Sequence, residues 1–204
     1  MNRRDFCRTS VAGVLAASLG LRARAGQPDA DRKTQPTDPD RLAKRAVRHF
    51  LPGKRTCGEA LLAAGCEELG LRSDMVPDIA LGLGGGVGLR GHTCGVITGS
   101  ALAIGLAARR KYPDYAARKV AVMAAVQSLS KEFERKFGAT DCRALCGLDL
   151  TTAEGRRELS ERVKQRTCGR LVEQGARLLA QRLNDLLPRE SRIPKLAGWP
   201  PDPL

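Results

Sequence analysis

Apolar side chains recur at helical spacing along most of the chain, and this pattern predicts an all-α protein. No stretch of useful length alternates between apolar and polar residues, as a half-buried strand does. The sequence therefore predicts one domain over residues 41–187, a single bundle of about six helices. The expected helices cover residues 41–51, 57–69, 94–109, 115–137, 151–164 and 167–187.

A stretch of glycines and small apolar residues at 82–105 is predicted to lie at the centre of this bundle. Six glycines from Gly82 to Gly91 form a loop, and a helix over 94–109 follows that is apolar nearly all round. Gly95 and Gly99 make this helix thin, so that neighbouring backbones can approach it closely. A helix of this kind is normally buried, and we expect the others to surround it.

The N-terminus has the features of an export signal. Arg3 and Arg4 are followed by a weakly apolar run at 11–21 and by a small-x-small cleavage pattern that ends at Ala25. This order predicts that residues 1–25 are a twin-arginine signal, recognised by the twin-arginine translocase, and that the protein is periplasmic or otherwise exported. The apolar run is shorter than the roughly 20 residues of a bilayer span, so we expect no stable membrane anchor.

The composition limits the classes of partner that the protein is expected to bind. The whole chain carries a net charge of +13, and loss of residues 1–25 would leave +9. Aromatic residues make up only 3% of the chain, too few to stack on bases, so we expect no nucleic acid partner. Polar residues 26–40 are predicted to be a disordered linker, and residues 188–204 an irregular, proline-rich tail.

Four cysteines are predicted to open helices, because each follows a threonine or an aspartate that favours a helix cap: Cys57, Cys94, Cys142 and Cys168. Backbone N–H groups at a helix start stabilise an anionic sulfur. Four thiolates are also the ligand set of an iron–sulfur cluster or a tetrahedral zinc ion. The spacings match no compact metal motif, so two disulfides that staple a structural or binding domain are an equal alternative.

A thiol–disulfide oxidoreductase is a further alternative, with Cys94 as the attacking thiol and Cys142 or Cys146 as its resolving partner. It predicts a lowered pKa for Cys94. Cys66 is expected to be a core cysteine or a free thiol, since helical spacing places it opposite Cys57. His92 lies close enough to Cys94 to orient its thiol, but a loop histidine without a role is the simpler interpretation.

Four segments resemble the C-GCAxxG-C-C family of redox-active proteins: TCGEALLAA at 56–64, LGLGGGVGLRGHTCGVITGSALAIGL at 81–106, CRALCGLDLTTAEGR at 142–156 and TCGRLVEQGARLLAQRL at 167–183. The resemblance spans nearly the whole predicted domain, and the glycine loop that runs into Cys-Gly-x-x-x-Gly is its most specific part. It implies a helical domain with a redox-active or metal-binding site at the family's four cysteines, Cys57, Cys94, Cys142 and Cys168. Cys66 and Cys146 are additions to the family pattern.

The resemblance also implies a cofactor. A related domain of split-Soret cytochromes is associated with an iron–sulfur centre, so we expect an iron–sulfur cluster, with the 2Fe-2S type among the options, or another metal. The haem-binding part of those cytochromes is missing and no Cys-x-x-Cys-His occurs, so no haem is expected. Electron transfer with an unidentified redox partner follows as the expected function, and a cluster at a subunit interface is compatible with a homodimer.

Overall fold

A computed structural model of the protein describes residues 36–186, which belong to one compact unit. The predicted signal at 1–25, most of the predicted linker and the predicted tail at 188–204 lie outside the described residues. The first helix begins at Pro39, two residues before the predicted start at residue 41, because Asp38 caps it. The predicted linker therefore ends earlier than residue 40. Proline is well suited to the first position of a helix, where its missing N–H costs no hydrogen bond.

The described residues form an all-α structure, which confirms the predicted fold class. Residues 36–186 contain no strand, although Thr93 and Asp141 form one isolated antiparallel bridge. No helix in this part of the chain is long and apolar enough to cross a membrane. The α-helices are α1 (Pro39–Phe50), α2 (Cys57–Glu68), α3 (Gly95–Lys111), α4 (Tyr115–Phe137), α5 (Cys142–Cys146), α6 (Ala153–Glu158) and α7 (Gly169–Asp185), with a 3-10 helix at Asp78–Leu83 and a π-helix at Leu159–Cys168.

Several helix ends follow the local sequence as expected. Thr56 caps α2 and forms a reciprocal capping box with Glu59, whose carboxylate accepts a hydrogen bond from the Thr56 N–H at 2.9 Å. Gly138 ends α4 and Gly147 ends α5, both in the left-handed conformation that glycine adopts readily. These signals fix where Cys57 and Cys142 lie, because each is the first residue of its helix.

Helix α3 packs against α2, α4 and α7, as expected for a central helix, and α1 covers the outer side of α2 and α7. Close approach depends on glycine at two crossings. A Cβ on Gly99 of α3 would overlap the backbone of Gly58 in α2, and a Cβ on Gly175 of α7 would overlap Val96. Small residues therefore bring α2, α3 and α7 close enough to place their N-terminal parts side by side.

The C-terminal helices differ from the prediction. Thr152 rather than Thr151 caps α6, because the Thr151 hydroxyl and N–H both donate to the Asp149 carboxylate. No break follows at Thr167. Residues 153–185 run on through α6, the π-helix and α7, and Cys168 has helical dihedral angles of −65° and −34°. The prediction that Cys168 opens a helix is wrong, since no proline or glycine precedes it to interrupt the run from residue 156 onward.

Candidate thiol centre

The crossing of α2 and α3 brings Cys57 and Cys94 into contact. Cys57 begins α2, and Cys94 is the cap residue of α3. Gly95 leaves room for the Cys57 sulfur, because a Cβ on Gly95 would overlap the Cys57 Sγ. The glycine that follows Cys94 is therefore required by the contact between the two cysteines and not by the helix itself.

The glycine loop lies over this pair as a left-handed turn. Five consecutive residues, 85–89, have positive φ angles between 58° and 70°. Val87 and Leu89 adopt a conformation that branched or bulky residues rarely take. Backbone hydrogen bonds hold the turn, including Leu89 N to Gly84 O at 3.1 Å and Gly91 N to Gly85 O at 3.0 Å. The turn places the Gly85 N–H at the Cys57 sulfur.

Backbone hydrogen bonds join the segment before α3 to the segment before α5. The Cys94 N–H donates to Thr140 O at 2.8 Å, and the Cys142 N–H donates to His92 O at 2.7 Å. This ladder fixes Cys142 beside Cys94, although 48 residues separate them in sequence. His92 contributes its main-chain carbonyl to the site, whereas its side chain is exposed.

Five cysteines from four parts of the chain lie within electrostatic range of one another at this place, and all six described cysteines are free thiols. We call the five the thiol cluster: Cys57, Cys94, Cys142, Cys146 and Cys168. The structure thus brings together the four cysteines that the sequence singled out and adds Cys146. Cys66 is buried in the core and lies near Arg110 instead.

Cys57 and Cys94 have opposite acid–base properties. A hydrogen bond with the Cys94 thiol and backbone N–H groups of residues 57, 58 and 85 lower the pKa of Cys57 to about 7, although burial opposes them. The same hydrogen bond, together with burial, raises the pKa of Cys94 well above its usual range. The lowered pKa that the oxidoreductase alternative predicts for Cys94 is therefore found at Cys57 instead. The pair loses one proton readily, and the N–H groups around Cys57 keep the resulting charge there.

Cys142 and Cys168 are held in the neutral form. Burial, followed by the nearby Cys146 and Cys57, raises the pKa of Cys142 well above its usual value. Burial and the same two cysteines raise the pKa of Cys168 to about 12, and Lys164 only partly offsets this effect. Within residues 36–186, no three His, Cys, Asp or Glu side chains are arranged so that they could hold a metal ion. The arrangement favours a thiolate at Cys57 beside neutral thiols at Cys94, Cys142 and Cys168.

The pH dependence of alkylation tests this assignment. In the reduced protein, the rate of alkylation at Cys57 is expected to rise as pH passes through about 7, since the thiolate is the reactive form. Cys168 is expected to remain slow up to pH 9. Peptide mass spectrometry after timed alkylation between pH 5 and 9 measures both rates. A midpoint at Cys57 no lower than that of Cys66 would contradict the assignment.

Comparison with known proteins finds a family whose model spans the residues that carry the thiol cluster. The family model described as putative redox-active protein (C_GCAxxG_C_C) matches residues 55–182, more than half of the chain. The chain belongs to this family. An uncharacterized protein of Archaeoglobus fulgidus is 32% identical over 132 residues, which cover 60% of this chain and 87% of that protein. No solved structure matches the chain. The matched residues include the whole thiol cluster, so family membership supports a redox-active function.

Proposed function

We propose that the protein is a thiol redox protein in which Cys57 and Cys94 cycle between a dithiol and a disulfide. The observation that carries the proposal is the hydrogen-bonded pairing of the Cys57 and Cys94 side chains at the crossing of α2 and α3. A thiolate with a pKa near the ambient pH is the most effective attacking thiol in exchange reactions. A neutral partner thiol next to it supplies the second sulfur of the disulfide.

The redox step balances in electrons and protons. Reduction of an external acceptor by two electrons forms the bond between the Cys57 and Cys94 Sγ atoms. The thiolate form of Cys57, about half of the molecules at pH 7, has already lost its proton, and Cys94 releases its proton to solvent as the bond forms. Re-reduction by an external dithiol reverses these changes. The buried surroundings of Cys94, which is 4% exposed, protect the second thiol from side reactions until the first has reacted.

Metal binding is a second candidate, and the donor set favours it. Cys57, Cys94, Cys142 and Cys168 supply four thiols in a buried place, and thiolates are the usual ligands of iron–sulfur clusters and zinc. Burial and neighbouring sulfurs raise the pKa of Cys142 and Cys168, and Lys164 offsets this only partly at Cys168, so a bound cation would favour their thiolate forms. These four residues would hold the group, and it would supply electron transfer if it is an iron–sulfur cluster. We rank this candidate second because the described residues 36–186 contain no preformed arrangement of metal ligands.

One experiment separates the two candidates. The protein is purified without oxygen after export by its own route, and iron, zinc, acid-labile sulfide and free thiols are counted per chain. The dithiol proposal predicts substoichiometric metal and the loss of two thiols on mild oxidation. One or more metal ions per chain, lost together when Cys142 or Cys168 is replaced by serine but not when Cys66 is, would favour the metal candidate instead.

The predicted signal supports export as part of the proposal. The twin-arginine route carries folded proteins, and a periplasmic destination is an oxidising compartment in which a disulfide persists until a partner reduces it. The partner is then another exported redox protein. Fractionation of cells that express the full chain, compared with a variant in which Arg3 and Arg4 are lysines, measures this directly. An unchanged distribution of the two proteins would contradict export by this route.

A further inference from the structure

We propose that Cys142 and Cys146 form a second dithiol–disulfide pair, through which the cluster exchanges electrons with an external disulfide, and that Cys146 is the thiol that meets this substrate. The inference rests on the proposed function of Cys57 and Cys94 and extends it. Cys146 is an addition to the family pattern, and nothing in the matched description assigns it a role. The proposed role of Cys146 follows from its position in the structure.

Exposure within the cluster points to Cys146. Cys94 and Cys142 are only 4% and 8% exposed, so a bulky disulfide cannot reach their sulfurs directly. Cys146 is half-buried, and its Sγ lies 3.8 Å from Leu148 O in the loop after α5. Cys57 and Cys168 are also half-buried, but the turn at 85–89 places the Gly85 N–H against the Cys57 sulfur and Cys168 lies within a continuous helical run. Cys146 instead ends a five-residue helix beside a loop, which favours it as the thiol that an external disulfide meets.

Cys142 is placed to connect Cys146 with the inner pair. It interacts directly with Cys146 on the same helix and lies within electrostatic range of Cys57, Cys94 and Cys168. The backbone ladder from His92 to Cys142 fixes it beside the start of α3. This placement makes Cys142 the thiol through which Cys146 would exchange with Cys57 and Cys94.

Helix α5 is built in a way that permits a disulfide. Residues four apart in a helix have Cβ atoms about 5–6 Å apart, whereas a disulfide needs about 3.5–4.5 Å. Helix α5 has only five residues and ends at Cys146, where Gly147 turns into the left-handed conformation. The last turn can therefore tighten without breaking a longer helix. A bond that strains this turn belongs to the readily reduced class of disulfides.

The exchange balances as two successive thiol–disulfide reactions. The Cys146 thiolate attacks one sulfur of the external disulfide, and the other sulfur leaves as a thiolate and takes up a proton. The Cys142 thiol loses its proton, attacks the Cys146 sulfur and releases the second external thiol, which forms the Cys142–Cys146 disulfide. The Cys57 thiolate then attacks Cys142, Cys146 leaves as a thiol, and Cys94 completes the inner disulfide and frees Cys142. Two electrons pass from the inner pair to the external disulfide.

Disulfide mapping in the mature protein tests the second pair. The protein is equilibrated with glutathione buffers of increasing potential, acid-quenched, alkylated and digested with trypsin, which cuts after Arg143 between the two cysteines. We expect a peptide pair linked through Cys142 and Cys146. A Cys57–Cys94 link without any Cys142–Cys146 link would overturn the inference and leave the proposed function standing. No link at either pair would overturn both.

Trapping identifies the exchanging thiol. In the Cys142→Ser variant, glutathione disulfide is expected to leave a mixed disulfide on Cys146 in most molecules, because the thiol that would release it is absent. The Cys146→Ser variant is expected to reduce glutathione disulfide at least about tenfold more slowly than the Cys66→Ser control, since the accessible thiol is missing. A mixed disulfide formed on Cys57 or Cys94 in place of Cys146, or an unchanged rate in Cys146→Ser, would overturn the assignment.

Discussion

Replacement of Cys57 by serine is expected to abolish the oxidation of Cys94 and to lower the reactivity of the inner pair at pH 7 by at least about fiftyfold. Half of the Cys57 sulfur is thiolate near pH 7, whereas a thiol with a pKa of 9 or above is about 1% ionised. Burial keeps the pKa of the remaining Cys94 thiol high. The measurement is the second-order rate of alkylation at each site, together with the number of thiols lost on mild oxidation.

The matched control is Cys66→Ser. Cys66 is also in α2 and also buried, but it lies outside the thiol cluster. We expect this variant to keep the reactivity at pH 7 and the loss of two thiols. Equal effects of the two substitutions, or a Cys57→Ser variant whose Cys94 still oxidises at the normal rate, would show that the two sulfurs do not form the working pair.

Replacement of Gly99 by alanine is expected to destabilise the protein by about 1–3 kcal/mol, because the added methyl group overlaps backbone rather than a flexible side chain. The Cβ would overlap the Gly58 carbonyl and lie 2.8 Å from the Gly58 Cα. Helices α2 and α3 must then separate just where Cys57 and Cys94 meet. Urea unfolding in the presence of a reductant measures the free energy, and alkylation measures whether the pKa of Cys57 rises towards that of an isolated thiol.

Gly105 provides the control on the same helix. No heavy atom lies within 4 Å of a Cβ added at Gly105, so alanine there meets open space. We expect Gly105→Ala to leave the cluster unchanged and to stabilise α3 by up to about 1 kcal/mol through its better helix propensity. If Gly99→Ala were as stable as Gly105→Ala and kept the reactivity of Cys57, the close crossing would not be what holds the two sulfurs together.

The helical fold was largely predictable, because its signals are local. Apolar periodicity defined α4 to the residue, and Thr56 with Glu59 marked the start of α2. The predicted start at Thr167 failed because a threonine can cap a helix but does not oblige the chain to break. The continuous run through a π-helix depends on packing against α5 and α7, which a single-sequence pattern does not contain.

The sequence singled out the cysteines of the site, but it did not predict which thiol has the lowered pKa. Cysteines after capping residues identified Cys57 and Cys94, and the glycines around them indicated close packing. Which of the two is the thiolate depends on three-dimensional placement: the Gly85 N–H reaches Cys57 only because residues 85–89 form a left-handed turn. Valine and leucine rarely adopt positive φ angles, so the sequence did not predict the left-handed turn at residues 85–89 beside the Cys57 sulfur.

A redox titration tests most directly whether Cys57 and Cys94 cycle between a dithiol and a disulfide. The Cys66→Ser variant of the mature protein is poised across a series of potentials, and the tryptic peptides that contain Cys57 and Cys94 are analysed for a link. We expect a disulfide between these two peptides that appears in one two-electron transition. The ratio of disulfide to dithiol should change tenfold for about every 30 mV. Cys57 and Cys94 thiols that both stay free at oxidising potentials would contradict this proposal.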